Sequence, residues 1–194
     1  MFVEPRFSNT ASTHAGWIEV VCGSMFSGKT EELIRRVTRA VIAKQRVRIF
    51  KPHIDVRYDA NDVVSHNKNT VESIPIRHSK EILEKSEGYD VIAIDEAQFF
   101  DQDIVEVCCK LADQGIRVVV CGLDMDYKGQ PFHPMPALMS IAEYVTKLHA
   151  VCMRCGEPAQ FSFRTHESHS QVELGESDKY EALCRKCYNL ANEK

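Results

Sequence analysis

The feature that most constrains the fold is an eight-residue segment near the start of the chain, Gly-Ser-Met-Phe-Ser-Gly-Lys-Thr at 23–30. It matches the pattern G-x-x-x-x-G-K-[ST], whose glycines let backbone N–H groups curve around phosphate oxygens. Lys29 supplies a positive charge for the β- and γ-phosphates, and the Thr30 hydroxyl is a ligand for Mg²⁺. The segment therefore predicts a P-loop that binds a nucleoside triphosphate with Mg²⁺.

The residues on either side of this segment fit a strand, a loop and a helix. Residues 17–22 form a short apolar run, typical of a buried parallel strand. After the loop, Glu31 and Glu32 suit the positive end of a helix. The pattern predicts an inward helix face of Leu33, Ile34, Val37 and Val41, and an opposite face of Arg35, Arg36 and Arg39.

Length and charge limit the possible classes of protein. The 194 residues suffice for one core and a small appendage. A net charge of −4 argues against a nucleic-acid partner, and no apolar run reaches the ~20 residues that a membrane helix needs. Residues 1–16 lack the apolar stretch of a signal peptide, so we expect a disordered tail and a cytoplasmic protein.

The rest of the chain alternates between strand and helix patterns. Strands are predicted near 46–50, 89–94, 116–122 and 145–151, and helices near 79–87, 101–114 and 136–143. Residues 52–73 are predicted to be a long polar connection. This order predicts an α/β fold over 17–150, a P-loop NTPase-like parallel sheet with helices on both faces, followed by a small domain over 151–194.

Two carboxylates follow the apolar run that ends at Ile94. An acid at the carboxyl end of a buried strand commonly holds the Mg²⁺ of a P-loop, which suits Asp95. Glu96 has the chemistry of a general base. It would activate water in an ATPase and an alcohol in a kinase, and the pair could instead simply cap a helix.

Four of the eight cysteines form two pairs, Cys152-x-x-Cys155 and Cys184-x-x-Cys187, separated by 28 residues. Two such pairs can surround Zn²⁺ with four thiolates, and a closed site of this type is structural. A redox dithiol or unrelated thiols are the alternatives. His166 and His169 lie between the pairs and are expected to be loop residues. The zinc site would anchor the ends of the loop at 156–183, which has few large apolar residues.

Several segments together resemble one family, the type II, zinc-containing thymidine kinases, over residues 17–188. They are the P-loop at 23–30, Asp-Glu-Ala-Gln-Phe-Phe at 95–100, Gly-Leu-Asp at 122–124, Lys-Leu-His-Ala-Val-Cys at 147–152, and Asp-Lys-Tyr at 178–180 with the second cysteine pair. Residues 65–70 and 176–177 depart from the family's usual pattern.

The resemblance implies transfer of the γ-phosphoryl group of ATP to the 5′-hydroxyl of thymidine. Glu96 would be the base, Asp95 would hold Mg²⁺, and the chain would form a homotetramer inhibited by thymidine triphosphate. The implied ATP site is Gly23, Ser24, Met25, Phe26, Ser27, Gly28, Lys29, Thr30, Arg57, Asp95, Glu96, Ala97 and Gln98. The implied nucleoside site is Met25, Phe99, Leu123, Tyr127, Phe132 and Tyr180, with Leu174 and Gly175 on a lasso loop.

Two other functions fit parts of the pattern. One is a P-loop ATPase with a zinc ribbon that acts on nucleic acid or a protein partner. The other is a nucleotide-binding regulator without chemistry. The aromatic residues Phe99, Phe100 and Phe132 could also be ordinary core residues.

Overall fold

The structure is a computed structural model that describes residues 16–53, 73–166 and 179–193. The predictions for the N-terminal tail and for Arg57, Leu174 and Gly175 lie outside these residues. In chain order, the elements are β1 (Trp17–Gly23), α1 (Lys29–Ile42), β2 (Val47–Pro52), β3 (Ser73–Ile76), α2 (Glu81–Glu84), β4 (Val91–Ile94), a 3₁₀ helix (Ala97–Phe99), α3 (Ile104–Asp113), β5 (Arg117–Leu123), α4 (Met135–Ile141), β6 (Tyr144–Leu148), β7 (Ala150–Val151), β8 (Pro158–Ala159), β9 (Phe161–Arg164), β10 (Tyr180–Leu183) and α5 (Arg185–Asn192).

Six strands form one parallel sheet in the order β3-β2-β4-β5-β1-β6. The central strands β4 and β5 are buried along almost their whole length, as their apolar runs predict for strands covered on both faces. In β1, the register places Gly23 beside Leu123 of β5 and beside Leu148 of β6. The sheet confirms the predicted α/β class.

Helices cover both faces of this sheet. On one face, Leu33, Val37 and Ala40 of α1 pack against apolar side chains of β2, β4 and β5. On the other face, α3 and α4 contribute Ile104, Leu111 and Leu138 to a larger cluster. None of the helices in the described ranges is long and apolar enough to cross a membrane.

The buried face of α1 differs from the prediction. Arg36, predicted to point outward, is fully buried, whereas Ile34 and Val41 are only partly buried. The reason is a carboxylate on the neighbouring strand: Glu19 of β1 is also fully buried and accepts a hydrogen bond from Arg36 at 2.8 Å. A pattern of apolar residues cannot show that a charged side chain has a buried partner.

The C-terminal region contains more structure than the sequence indicates. The predicted strand at 145–151 is two strands, β6 and β7, and it is followed by the antiparallel pairs β7–β8 and β9–β10 and by α5. Their buried side chains form a small core of Ala150, Cys152, Ala159, Phe161, Ala182, Leu183 and Tyr188. Both ends of the 156–183 segment therefore pack into an apolar core beside the cysteines, which the sequence did not predict.

Candidate active site

The candidate site lies at the carboxyl edge of the parallel sheet. Strands β4, β5 and β1 are consecutive in the sheet, and they end at Ile94, Leu123 and Gly23. The residues that follow, Asp95 and the P-loop from Ser24, therefore emerge at the same edge. This edge is where open parallel sheets bind their ligands.

The P-loop backbone has conformations that favour glycine. Gly23 has φ 149°, and a Cβ there would lie 2.4 Å from the carbonyl oxygen of Leu148. Gly28 has φ 82° and directly precedes α1. Phe26 has φ 62°, an uncommon value for a non-glycine residue. These turns allow several backbone N–H groups to point toward one anion at the positive end of α1.

Two side chains fold back over the loop. The ammonium group of Lys29 donates to the Ser24 carbonyl oxygen at 2.8 Å, and the Ser27 hydroxyl donates to the same oxygen at 2.8 Å. The Ser24 hydroxyl is buried, and it has no hydrogen-bond partner in the part of the chain that the structure describes. A buried polar atom of this kind fits a loop that surrounds a polar ligand.

Asp95 and Glu96 directly follow β4 at this edge of the sheet. Burial, and after it the adjacent Glu96 carboxylate, raise the pKa of Asp95 from 3.8 to about 7. The Cys121 thiol, the backbone N–H of Glu96 and the charge of Lys29 oppose this shift. Lys29 thus lies close enough to Asp95 to act on its charge.

Glu96 has a left-handed backbone conformation, with φ 51° and ψ 43°, at the start of the 3₁₀ helix. Its carboxylate oxygen Oε2 accepts a hydrogen bond from the side-chain amide of Gln98. The other end of that amide, Oε1, accepts from the backbone N–H of Leu123 at 2.9 Å. Gln98 and Ala97, both predicted as ATP ligands, are buried.

The predicted aromatic residues lie beside this acidic pair. Phe99 and Phe132 meet edge to face, with their ring centroids 5.9 Å apart. The backbone N–H of Phe132 donates to the carbonyl oxygen of Asp124, one residue past β5. Phe99, Leu123 and Phe132 are thus near one another at the end of the sheet, and Phe99 and Leu123 are partly exposed.

Arg164 contacts two further residues of the predicted pocket, Tyr127 and Tyr180. It was not predicted from the sequence as a site residue. Its guanidinium lies over the ring of Tyr127 at 3.7 Å and donates to the hydroxyl of Tyr180 at 3.0 Å. Nearby, the Ser162 hydroxyl accepts a hydrogen bond from the backbone N–H of Met25 in the P-loop. The alternation of Phe161-Ser-Phe-Arg was a signal for this strand, but nothing in it indicated the contacts.

The four paired cysteines form one cluster. The sulfur atoms of Cys152, Cys155, Cys184 and Cys187 all lie within 4.8 Å of one another, and those of Cys155 and Cys184 are 3.6 Å apart. Four sulfurs at about 2.3 Å from a tetrahedral zinc ion are about 3.8 Å apart, so the cluster fits one structural Zn²⁺. Desolvation raises the pKa of the Cys152 thiol, but backbone hydrogen bonds from Cys184, Arg154 and Cys155 outweigh it and lower the pKa to about 6.

Comparison with known proteins identifies the family. A family model described as "Thymidine kinase" matches residues 16–188. The chain belongs to the thymidine kinase family.

Curated thymidine kinases are similar over nearly the whole chain. A thymidine kinase of Porphyromonas gingivalis is 60% identical over 97% of this chain and 92% of the relative, and one of Bacteroides fragilis is 58% identical over 98% and 95%. A thymidine kinase of Rhodothermus sp. is 56% identical over 89% of this chain and 81% of the relative. Domain III of the Thermotoga maritima replication initiation protein DnaA matches with a TM-score of 0.41 and 18% identity over 68% of this chain and 54% of that chain, which is too weak to bear on function.

Proposed function

We propose that this chain transfers the γ-phosphoryl group of ATP to the 5′-hydroxyl of thymidine and releases thymidine monophosphate and ADP. The observation that carries the proposal is the position of Asp95 and Glu96 at the same sheet edge as the P-loop, in a member of the thymidine kinase family. Such an edge offers a phosphate cradle, a cation site and a base within one cleft.

On the ATP side, backbone N–H groups of residues 23–30 would hold the phosphates, and Lys29 would move from the Ser24 carbonyl to the γ-phosphoryl group. Thr30 and Asp95 would hold Mg²⁺, which offsets phosphate charge when it is bound. A cation beside Asp95 would also favour its ionised form over the protonated form that burial favours. Arg57 is proposed to add positive charge near the phosphates.

In the transfer step, the 5′-oxygen of thymidine forms a bond to the γ-phosphorus while the bond from that phosphorus to the β–γ bridging oxygen breaks. The proton of the 5′-hydroxyl passes to the Glu96 carboxylate, and ADP leaves with the bridging oxygen. The backbone conformation of Glu96 and the hydrogen bond to its carboxylate both limit where that carboxylate can lie. A base held in this way can be placed accurately beside the 5′-hydroxyl.

On the thymidine side, Met25, Phe99, Leu123, Tyr127, Phe132 and Tyr180 would supply the apolar walls. Flat apolar faces with a few polar groups at the edge are what a pyrimidine ring requires. Backbone groups near Leu174 and Gly175 are proposed to bind the edge of the ring. A covering loop would exclude water, which otherwise competes with the 5′-hydroxyl for the phosphoryl group.

The zinc cluster would hold the two ends of that loop. Because Tyr188 of α5 donates from its hydroxyl to the carbonyl oxygen of Tyr127 at 2.9 Å, α5, which carries Cys187, is linked directly to the proposed pocket. We further propose a cytoplasmic homotetramer that serves nucleotide salvage for DNA synthesis, is inhibited by thymidine triphosphate, and has neither nucleic acid nor a membrane as a partner.

Replacement of the proposed base tests the role of Glu96. Glu96→Gln should lower thymidine-dependent ADP formation by about 10²- to 10⁴-fold, the usual contribution of a general base, while ATP binding remains. Glu87→Gln is the matched control, because Glu87 is exposed and lies before the start of β4, whereas Glu96 follows the end of that strand. Unchanged turnover in Glu96→Gln would remove Glu96 from its proposed role.

A further inference from the structure

Gln98 is a buried amide whose two polar atoms are both bonded within the protein. Only 3% of the residue is exposed. Its Nε2 donates to Oε2 of Glu96, and its Oε1 accepts from the backbone N–H of Leu123 at 2.9 Å. The amide therefore links Glu96, which follows β4, to Leu123 at the end of β5. Both of its polar atoms are bonded to the protein itself.

Glu96 is a residue that needs such a link. Its left-handed backbone is uncommon for a side chain of this size and persists only where neighbouring structure holds it. A glutamate side chain also has several rotatable bonds, so its carboxylate is fixed only by contacts. The Gln98 contact occupies Oε2 and leaves Oε1 to take a proton.

The surroundings of Gln98 are closely packed. A Cβ at Gly122, in the buried strand β5, would lie 2.8 Å from Oε1 of Gln98 and 2.7 Å from the sulfur of Met135. The Gln98 amide and the Met135 side chain of α4 thus lie closely over Gly122 of β5, where a larger residue would not fit. A side chain packed in this way can fix the position of its hydrogen-bond partner.

We infer that Gln98 is a positioning residue for the reaction: it holds the Glu96 carboxylate in a fixed place relative to the pocket wall at Leu123. The inference rests on the proposed role of Glu96 as the base. It replaces the sequence-based assignment of Gln98 as an ATP ligand, since the amide acts on Glu96 and Leu123. Gln98 therefore contributes to turnover only through Glu96.

A double-mutant cycle between Gln98→Met and Glu96→Gln tests this inference. Methionine keeps the length of the side chain and loses both hydrogen bonds. Alone, Gln98→Met should lower kcat by about 10- to 100-fold, the effect of a misplaced catalytic group, with KM for ATP within about twofold. Added to Glu96→Gln, it should change kcat by less than about threefold, because residues that act as a unit are not additive.

Two further variants complete the design. Gln114→Met, at an exposed position after α3, is the matched control and should leave kcat unchanged. If Gln98→Met does not fold, Gln98→Leu takes its place in the cycle, because it also removes both hydrogen bonds and adds no charge beside Glu96.

The possible results separate this inference from the proposed function. Absence of thymidine-dependent turnover in the unmodified protein contradicts the proposed function. Normal kcat in Glu96→Gln overturns the base assignment and this inference together. Suppose that Glu96→Gln is impaired and that adding Gln98→Met lowers kcat by the same factor as Gln98→Met does alone. This result overturns only the role of Gln98. A raised KM for ATP with normal kcat in Gln98→Met also overturns it, since that result identifies an ATP ligand.

Discussion

Removing the charge of Glu19 should destabilise the protein severely. This carboxylate is fully buried and accepts four hydrogen bonds. Its Oε2 accepts from Arg36 at 2.8 Å and from Arg117 at 3.0 Å, and its Oε1 accepts from Arg117 at 2.7 Å and from Trp17 at 2.6 Å. In Glu19→Gln, the new amide nitrogen must face two N–H donors whichever way the amide is oriented.

The expected loss follows from the burial of both partners. Arg36 and Arg117 are 0% and 1% exposed, so both guanidinium charges stay inside the protein when the carboxylate beside them is removed. Removing one member of a buried ion pair typically costs about 3–5 kcal/mol in the free energy of unfolding. At about 2–4 °C per kcal/mol for a chain of this size, the melting temperature should fall by about 6–20 °C.

Urea unfolding of Glu19→Gln beside the exposed control Glu87→Gln measures this loss. Glu19 lies four residues before the end of β1, about 13 Å along the strand from Gly23, so kcat of the folded variant at low temperature should change little. A loss below about 1 kcal/mol would refute the reasoning, because it would mean that the buried charges are compensated without Glu19.

Two further predictions concern the site and the cysteine cluster. Because burial raises the pKa of Asp95 from 3.8 to about 7, the folded state binds the extra proton, and its stability should fall as the pH rises from about 4 to above 7. In protein free of Mg²⁺ and nucleotide, urea unfolding at pH 5 and pH 8 should show a smaller fall for Asp95→Asn, with about 3 kcal/mol as the upper limit of the difference over this pH range. In Cys155→Ser, which alters an exposed ligand position, zinc measured by mass spectrometry should fall well below one ion per chain, together with the melting temperature.

Each of these predictions has a result that opposes it. Equal pH dependence of unfolding in the Asp95→Asn variant and the unmodified protein would show that Asp95 titrates normally. For the cluster, Cys109→Ser is the control outside it, and full zinc content in Cys155→Ser would exclude Cys155 as a ligand.

The order of elements in the main sheet was predictable, because parallel strands buried on both faces are continuous apolar runs. The runs before Gly23, Asp95 and Leu123 indicated β1, β4 and β5, and the glycines and Lys29 indicated the loop between β1 and α1. The order of strands across the sheet was not predictable, since it depends on which strands, often distant in the sequence, pair with one another.

The contacts of single polar side chains escaped prediction for a physical reason. Arg36 looked like a surface residue because its partner, Glu19, is 17 positions away and on another element. The contacts of Arg164 with Tyr127 and of Gln98 with Leu123 left no trace in the sequence, since the partners lie far apart along the chain. Strands β7 and β8, each of two residues, are too short to show alternation.

The fate of the γ-phosphate of ATP tests the central claim most directly. The protein is incubated with Mg²⁺, thymidine and ATP labelled in that phosphate, and the products are separated by chromatography. The account predicts label on thymidine monophosphate, in an amount equal to the ADP formed, and little ADP without thymidine. Label found only in free phosphate, at a rate that thymidine does not change, would contradict it and would identify an ATPase.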